Sequence, residues 1–253
     1  MTAAAAKRPR GEWRYAAALF GAHLSFIPLF ALLLPRRVAA IAPDQAIVLL
    51  STLLLVGGVA ASIAHIVAGR FSDRWLASHD NRRGVIAAGL VALVAAQAML
   101  AIAVSPAMLL AAIVIFQLAL NLMFAPLGAL LADHVADARK GRVAGLLNAT
   151  LPLSSLGTAL AAFLYPRDGA GGFLLVAAFG ALAVLPLLIG WPFGRVADRD
   201  LEALTARSVA GADLRADYAR LWIARLLVQL GAAFVINYFF LYLVQRRAVD
   251  EAS

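Results

Sequence analysis

A chain of 253 residues that is 63% hydrophobic and only 14% charged cannot cover itself with the polar surface of a water-soluble globule, which draws roughly a quarter of its residues from Asp, Glu, Lys and Arg. Its mean hydropathy of +0.87 assigns most of its surface to hydrocarbon, where a charge at a helix centre costs about 2.5–3.5 kcal/mol. The net charge of +8 invites a nucleic-acid reading, but the chain has no cysteine, so disulfides, thiolate metal sites and cysteine nucleophiles are excluded.

A helix needs about 20 apolar residues to cross a hydrocarbon core about 30 Å thick. Residues 1–14 form a short basic tail carrying Lys7, Arg8, Arg10 and Arg14. The first span, Tyr15–Pro35, is too long and too closely followed by others to be a cleaved signal peptide. Ala46–Gly69, Gly84–Val104, Pro106–Ala132, Val143–Leu164 and Phe173–Phe193 follow, giving a six-helix bundle over residues 15–193. Residues 194–220 mix five acids with five arginines and read as a charged linker. A seventh span, Leu221–Val244, opens the region 221–253. The expected fold class is all-α, a polytopic membrane bundle plus the first helix of an incomplete second bundle.

With the N-terminus in the cytoplasm, sixteen Lys and Arg residues fall in the inner tail and loops. Five fall outside (Arg36, Arg37, Arg167, Arg246 and Arg247), and Arg225 lies within the seventh span. That asymmetry predicts a multi-pass protein of the cell (inner) membrane with its N-terminus cytoplasmic. Because the basic residues are dispersed among short loops, nucleic acid is not an expected partner; the lipid bilayer is. The excess of Arg over Lys, twenty to two, reads as the codon bias of a GC-rich, bacterial genome.

Gly69-Arg70-Phe71-Ser72-Asp73-Arg74, followed by Arg82-Arg83, joins the second and third spans. Gly69 permits close helix approach, and Asp73 can pair with an arginine or with free backbone N–H groups at a helix end. This pattern resembles the cytoplasmic signature of the Major Facilitator Superfamily. The run from Asn121 through Pro126 to Asp133, then Arg139-Lys140-Gly141-Arg142, is similar to the fourth-to-fifth helix region of its sugar-type members, the glycoside–pentoside–hexuronide symporters and sucrose-transporter relatives. Ala224-Arg225 through Gln229 to Gly231 resembles the opening of their second bundle. The resemblance implies a carrier working by alternating access, with Gly69, Asp73, Arg74, Arg82 and Arg83 in the inward gate and Asp133 and Arg142 as helix-end charges. It also implies about five further spans, so the chain is expected to be the N-terminal part of a permease, a half-unit needing a partner, or a truncated inactive remnant.

Polar groups inside spans are costly and are site candidates by default. His23 and Ser25 lie mid-depth in the first span; Gln117 and Asn121, four apart, share a face of the fourth; Gln229 and Asn237, eight apart, nearly share a face of the seventh. These neutral groups suit a small polar solute, a sugar being one candidate. Asn148, Thr150, Ser154, Ser155 and Thr158 around Pro152 read as helix-packing groups, and His65 as interfacial. No Asp or Glu lies mid-membrane, so a coupling cation, proton or sodium, has no carboxylate site here, and His23 is the mid-depth titratable candidate.

No cofactor, metal ligand set or catalytic residue is expected. An intramembrane enzyme is the less favoured alternative: HExxH and paired intramembrane carboxylates are absent, and a serine nucleophile with a histidine base stays open on paper without a Gly-x-Ser-x-Gly context to support it. A retinal-binding seven-helix protein needs an outside N-terminus and a lysine in its last helix, whereas the lysines are Lys7 and Lys140.

Overall fold

The computed structural model describes residues 11–135, 137–165, 169–193, 217, 219–228 and 231. Contacts divide the chain into two units, Met1–Ala197 and Asp198–Ser253. The described residues are helical with short connections and no strand.

The first unit holds six helices long and apolar enough to cross a membrane: Glu12–Ile41, Pro43–His79, Arg83–Ile102, Pro106–His134, Ala138–Leu164 and Ala170–Ile189. They are called the first to sixth spans. The first packs on the fifth and sixth, the third on the fourth and sixth, and the second on the fourth. Close approach comes from small residues, since lipid-facing helices gain little from hydrophobic burial against one another. A Cβ at Gly21 would stand 2.6 Å from the Gly180 carbonyl, and one at Gly180 would stand 2.5 Å from Ser25 Oγ. Only glycine lets the first and sixth spans meet there.

Arginines of the first span close three neighbouring helix ends, where the last carbonyls lack partners. Arg14 donates to Gly190 O at the end of the sixth span. At the other membrane face Arg36 donates to Tyr165 O at 2.7 Å and Arg37 to Ala101 O at 3.1 Å.

Several helix ends depart from the apolar count. The first span runs on past Pro35 to Ile41, after a widened turn over Leu29–Leu33 that follows Pro28. Pro35 falls in the first turn of the resumed helix, where a missing N–H is tolerated. The second span continues ten residues beyond Gly69, so Gly69–Arg74 is helix rather than loop. The turn proper begins at Asp80, whose φ of 57° is left-handed and whose N–H reaches Leu76 O at 2.9 Å. The fifth helix starts at Asp137, not Val143, and carries Arg139, Lys140 and Arg142 in its first turns. Hydropathy marks where lipid ends, and a helix need not stop there. The sixth helix ends at Ile189; Phe193 stacks on His134 at 4.5 Å and meets Tyr15 edge-on at 6.2 Å.

In the second unit residues 219–228 are helical, Arg225 is exposed, and Arg220 pairs with Asp217 at 3.1 Å. Gln229, Asn237, the tail 1–10 and most of 194–220 lie outside the described residues.

Candidate functional site

Polar side chains gather at two levels of the first unit. The deeper level is built from the first, second, fourth and fifth spans. His23, buried, places Nδ1 2.8 Å from Thr150 Oγ1. The Thr150 hydroxyl spends its proton on Leu147 O at 2.6 Å, so it accepts from the imidazole and Nδ1 carries the hydrogen. Edge-on contacts with Phe26 at 5.7 Å and Phe124 at 5.6 Å hold the ring. No described residue takes Nε2.

The same logic fixes a second imidazole. Asn121 Nδ2 donates to Gln117 O at 2.9 Å, which turns Oδ1 toward His65 Nδ1 at 3.0 Å. An amide oxygen only accepts, so Nδ1 of His65 is also the protonated nitrogen. Asn121 lies twelve residues before Asp133 on one helix, about 18 Å along its axis at 1.5 Å per residue. His65 is therefore drawn to mid-depth, not left at the interface as its position in the second span suggested. Gln117 is buried beside it, under Gly57, where a Cβ would lie 3.6 Å from the amide nitrogen. Its side-chain amide has no partner among the described residues. The level thus offers two imidazole rings anchored through Nδ1 and one uncommitted amide, with no carboxylate among them.

Ser25 is placed elsewhere. Its hydroxyl is committed to Gly21 O at 2.8 Å and it packs on Gly180. Beside it, Gln97 of the third span donates from Nε2 to Ser25 O at 2.8 Å. That carbonyl needs an outside donor because Leu29 N–H bonds Phe26 O instead, one turn before the widened segment. Sequence reasoning passed over Gln97 and gave Thr150 a packing role. Gln97 is the lone polar side chain of Gly84–Val104, a signal that was legible.

The second level lies at the end where the second, third and fourth spans meet. Arg82, 5% exposed, donates from Nε to Asp133 Oδ2 at 2.7 Å and from a terminal nitrogen to Ser72 Oγ at 2.7 Å. Its other terminal nitrogen lies 2.8 Å from Asp73 Oδ1. One guanidinium thereby ties two helix ends through all three of its nitrogens. Arg83, Arg74 and Arg142 are exposed, so the basic pair divides into one buried and one solvated member. Gly69 and Gly58 face open space, with nothing within 4 Å of a Cβ added at either. Arg139 pairs with Glu12 at 3.0 Å, joining the fifth span to the first at the same end.

No cluster of three or more metal-ligating side chains occurs among the described residues. A comparison with curated proteins yields no match. The sequence profile of the Major Facilitator Superfamily matches residues 15–250, nearly the whole chain. Together with six apolar membrane-length helices, that match establishes the chain as a multi-pass member of the Major Facilitator Superfamily, a family of transporters of small solutes.

Proposed function

We propose that this chain serves secondary-active transport of a small, uncharged, polar solute, a sugar above other classes, by alternating access. The observation that carries the reading is the chemistry at mid-depth. His23, His65 and Gln117 present open hydrogen-bonding positions, while the carboxylates among the described residues lie outside the apolar stretches. Neutral donors and acceptors in a low-dielectric setting suit hydroxyl groups and leave an ionic solute without a countercharge. Asn121 and Thr150 act by fixing the two rings; Gln229 and Asn237 of the seventh span stay solute-binding candidates on their polarity in an apolar run. Where a proton is coupled, His23 is its carrier.

The Arg82 network with Asp73 and Asp133 is the gate element. Gly58 and Gly69 present a face that nothing among the described residues covers, which favours closure against a second bundle, on the same polypeptide or on a partner chain. On the charge asymmetry, the N-terminus and the gate lie on the cytoplasmic side of a bacterial inner membrane.

The test is uptake of radiolabelled neutral sugars, amino acids and carboxylates by cells expressing the complete reading frame. Uptake of a neutral sugar, abolished in His23→Ala and reduced in Gln117→Ala with membrane levels unchanged, supports the reading. Uptake confined to charged solutes contradicts it.

A further inference from the structure

A groove of about 500 Å³ runs along the second span where it meets the third and fourth, and its lining is almost wholly apolar. Four alanines, Ala64, Ala68, Ala92 and Ala119, form its floor, so the space exists because side chains there stop at Cβ. An aqueous solute path would need polar lining, and this groove has next to none. It is a place for hydrocarbon.

One wall is the stripe Ile63, Val67 and Phe71, spaced four apart on the second span. Because this helix continues past the apolar stretch, the stripe runs on into charge. Arg74 stands three residues after Phe71 and by spacing falls between Ile63 and Val67 around the helix, while Arg70, three after Val67, falls just outside Ile63 at the groove's rim; neither lines the groove itself. Both are exposed, and neither guanidinium has a partner among the described residues. Asp73 beside them is already held by Arg82. The groove is therefore apolar along its length, and beyond its Phe71 end stand two cations that have no partner among the described residues.

We infer that this groove is a binding site for an anionic phospholipid, one acyl chain lying on the alanine floor and the phosphate held by Arg70 and Arg74. A zwitterionic lipid satisfies the groove but not the charges. A basic residue near an anionic headgroup contributes about fivefold in affinity, so the pair favours an anionic lipid by more than tenfold.

The experiment is native mass spectrometry of the full chain, released from detergent with equimolar phosphatidylglycerol and phosphatidylcholine of identical acyl chains. The expected result is retention of phosphatidylglycerol at least tenfold over phosphatidylcholine. Arg70→Gln with Arg74→Gln brings the ratio near one, while Arg83→Gln, off the stripe, preserves it. Ala92→Leu, at a half-buried position on the groove floor, lowers retention of both lipids, with thermal unfolding by circular dichroism confirming an intact fold. Equal retention of the two lipids by the wild type overturns the proposal, as does a preference that survives the double arginine variant. Displacement of phosphatidylglycerol by inorganic phosphate alone would show a free-anion site and overturn it too.

Discussion

The two polar levels of the bundle solve the same problem in opposite ways. At the end joined by Arg82, charged groups spend themselves on one another, each arginine nitrogen meeting Asp73, Ser72 or Asp133. At mid-depth no carboxylate takes part and the groups are only half committed, each histidine anchored through Nδ1 with no described residue at Nε2. A saturated network holds helices together, and an unsaturated one keeps capacity for a ligand. In the proposed function the first level carries stability and gating and the second carries solute recognition.

The largest effect expected is on the saturated side. Asp133→Ala leaves a nearly buried guanidinium with Asp73, whose side chain is 69% exposed, as its one carboxylate. Breaking a buried pair by removing one partner costs about 3–5 kcal/mol, so the unfolding temperature in detergent should drop steeply. Replacing both, Arg82→Met with Asp133→Leu, should recover most of that loss. If Asp133→Ala unfolds like the wild type, the network does not tie the helix ends together.

His23→Ala should do the reverse: a loss of uptake by one to two orders of magnitude, from about 1–3 kcal/mol of hydrogen bonding, with little change in thermal unfolding. A variant that loses both equally would erase the distinction between the levels. Thr150→Val sharpens it further, because it removes the acceptor that fixes the ring while leaving the ring in place. Uptake should fall about fivefold, the worth of one hydrogen bond of about 1 kcal/mol.

The smallest stability effect belongs to Asp73→Asn. An exposed ion pair is worth about 0–1 kcal/mol, and Arg82 keeps Asp133. The unfolding midpoint should barely move, whereas transport rates should change if Asp73 works in the gate. Comparing it with Asp133→Ala separates the two carboxylates of one network.

The number, order and approximate limits of the six spans were legible because lipid imposes a length and a composition that the sequence displays directly. The helix ends were not, since a helix continuing into water leaves no hydropathy signal; Gly69–Arg74 and Arg139–Arg142 were read as loops for that reason. The pairing of Arg82 with Asp133 is set by the phase at which the third helix begins after a left-handed residue at Asp80, and adjacent arginines in sequence do not reveal it. His23, Gln117 and Asn121 stood out as polar groups in apolar runs. Which neighbour each would meet depended on helix contacts fifty to more than a hundred residues away in sequence, as with His65 to Asn121 and His23 to Thr150.

The most direct test of the contrast is ¹⁵N nuclear magnetic resonance of histidine-labelled protein, with His79 and His134 replaced so that His23 and His65 alone report. The account predicts two imidazoles protonated at Nδ1 and bare at Nε2, with the Nε2 resonances moving when a transported neutral sugar is added. Rings protonated at Nε2, or Nε2 resonances that ignore every neutral sugar and respond to a charged solute, would contradict it.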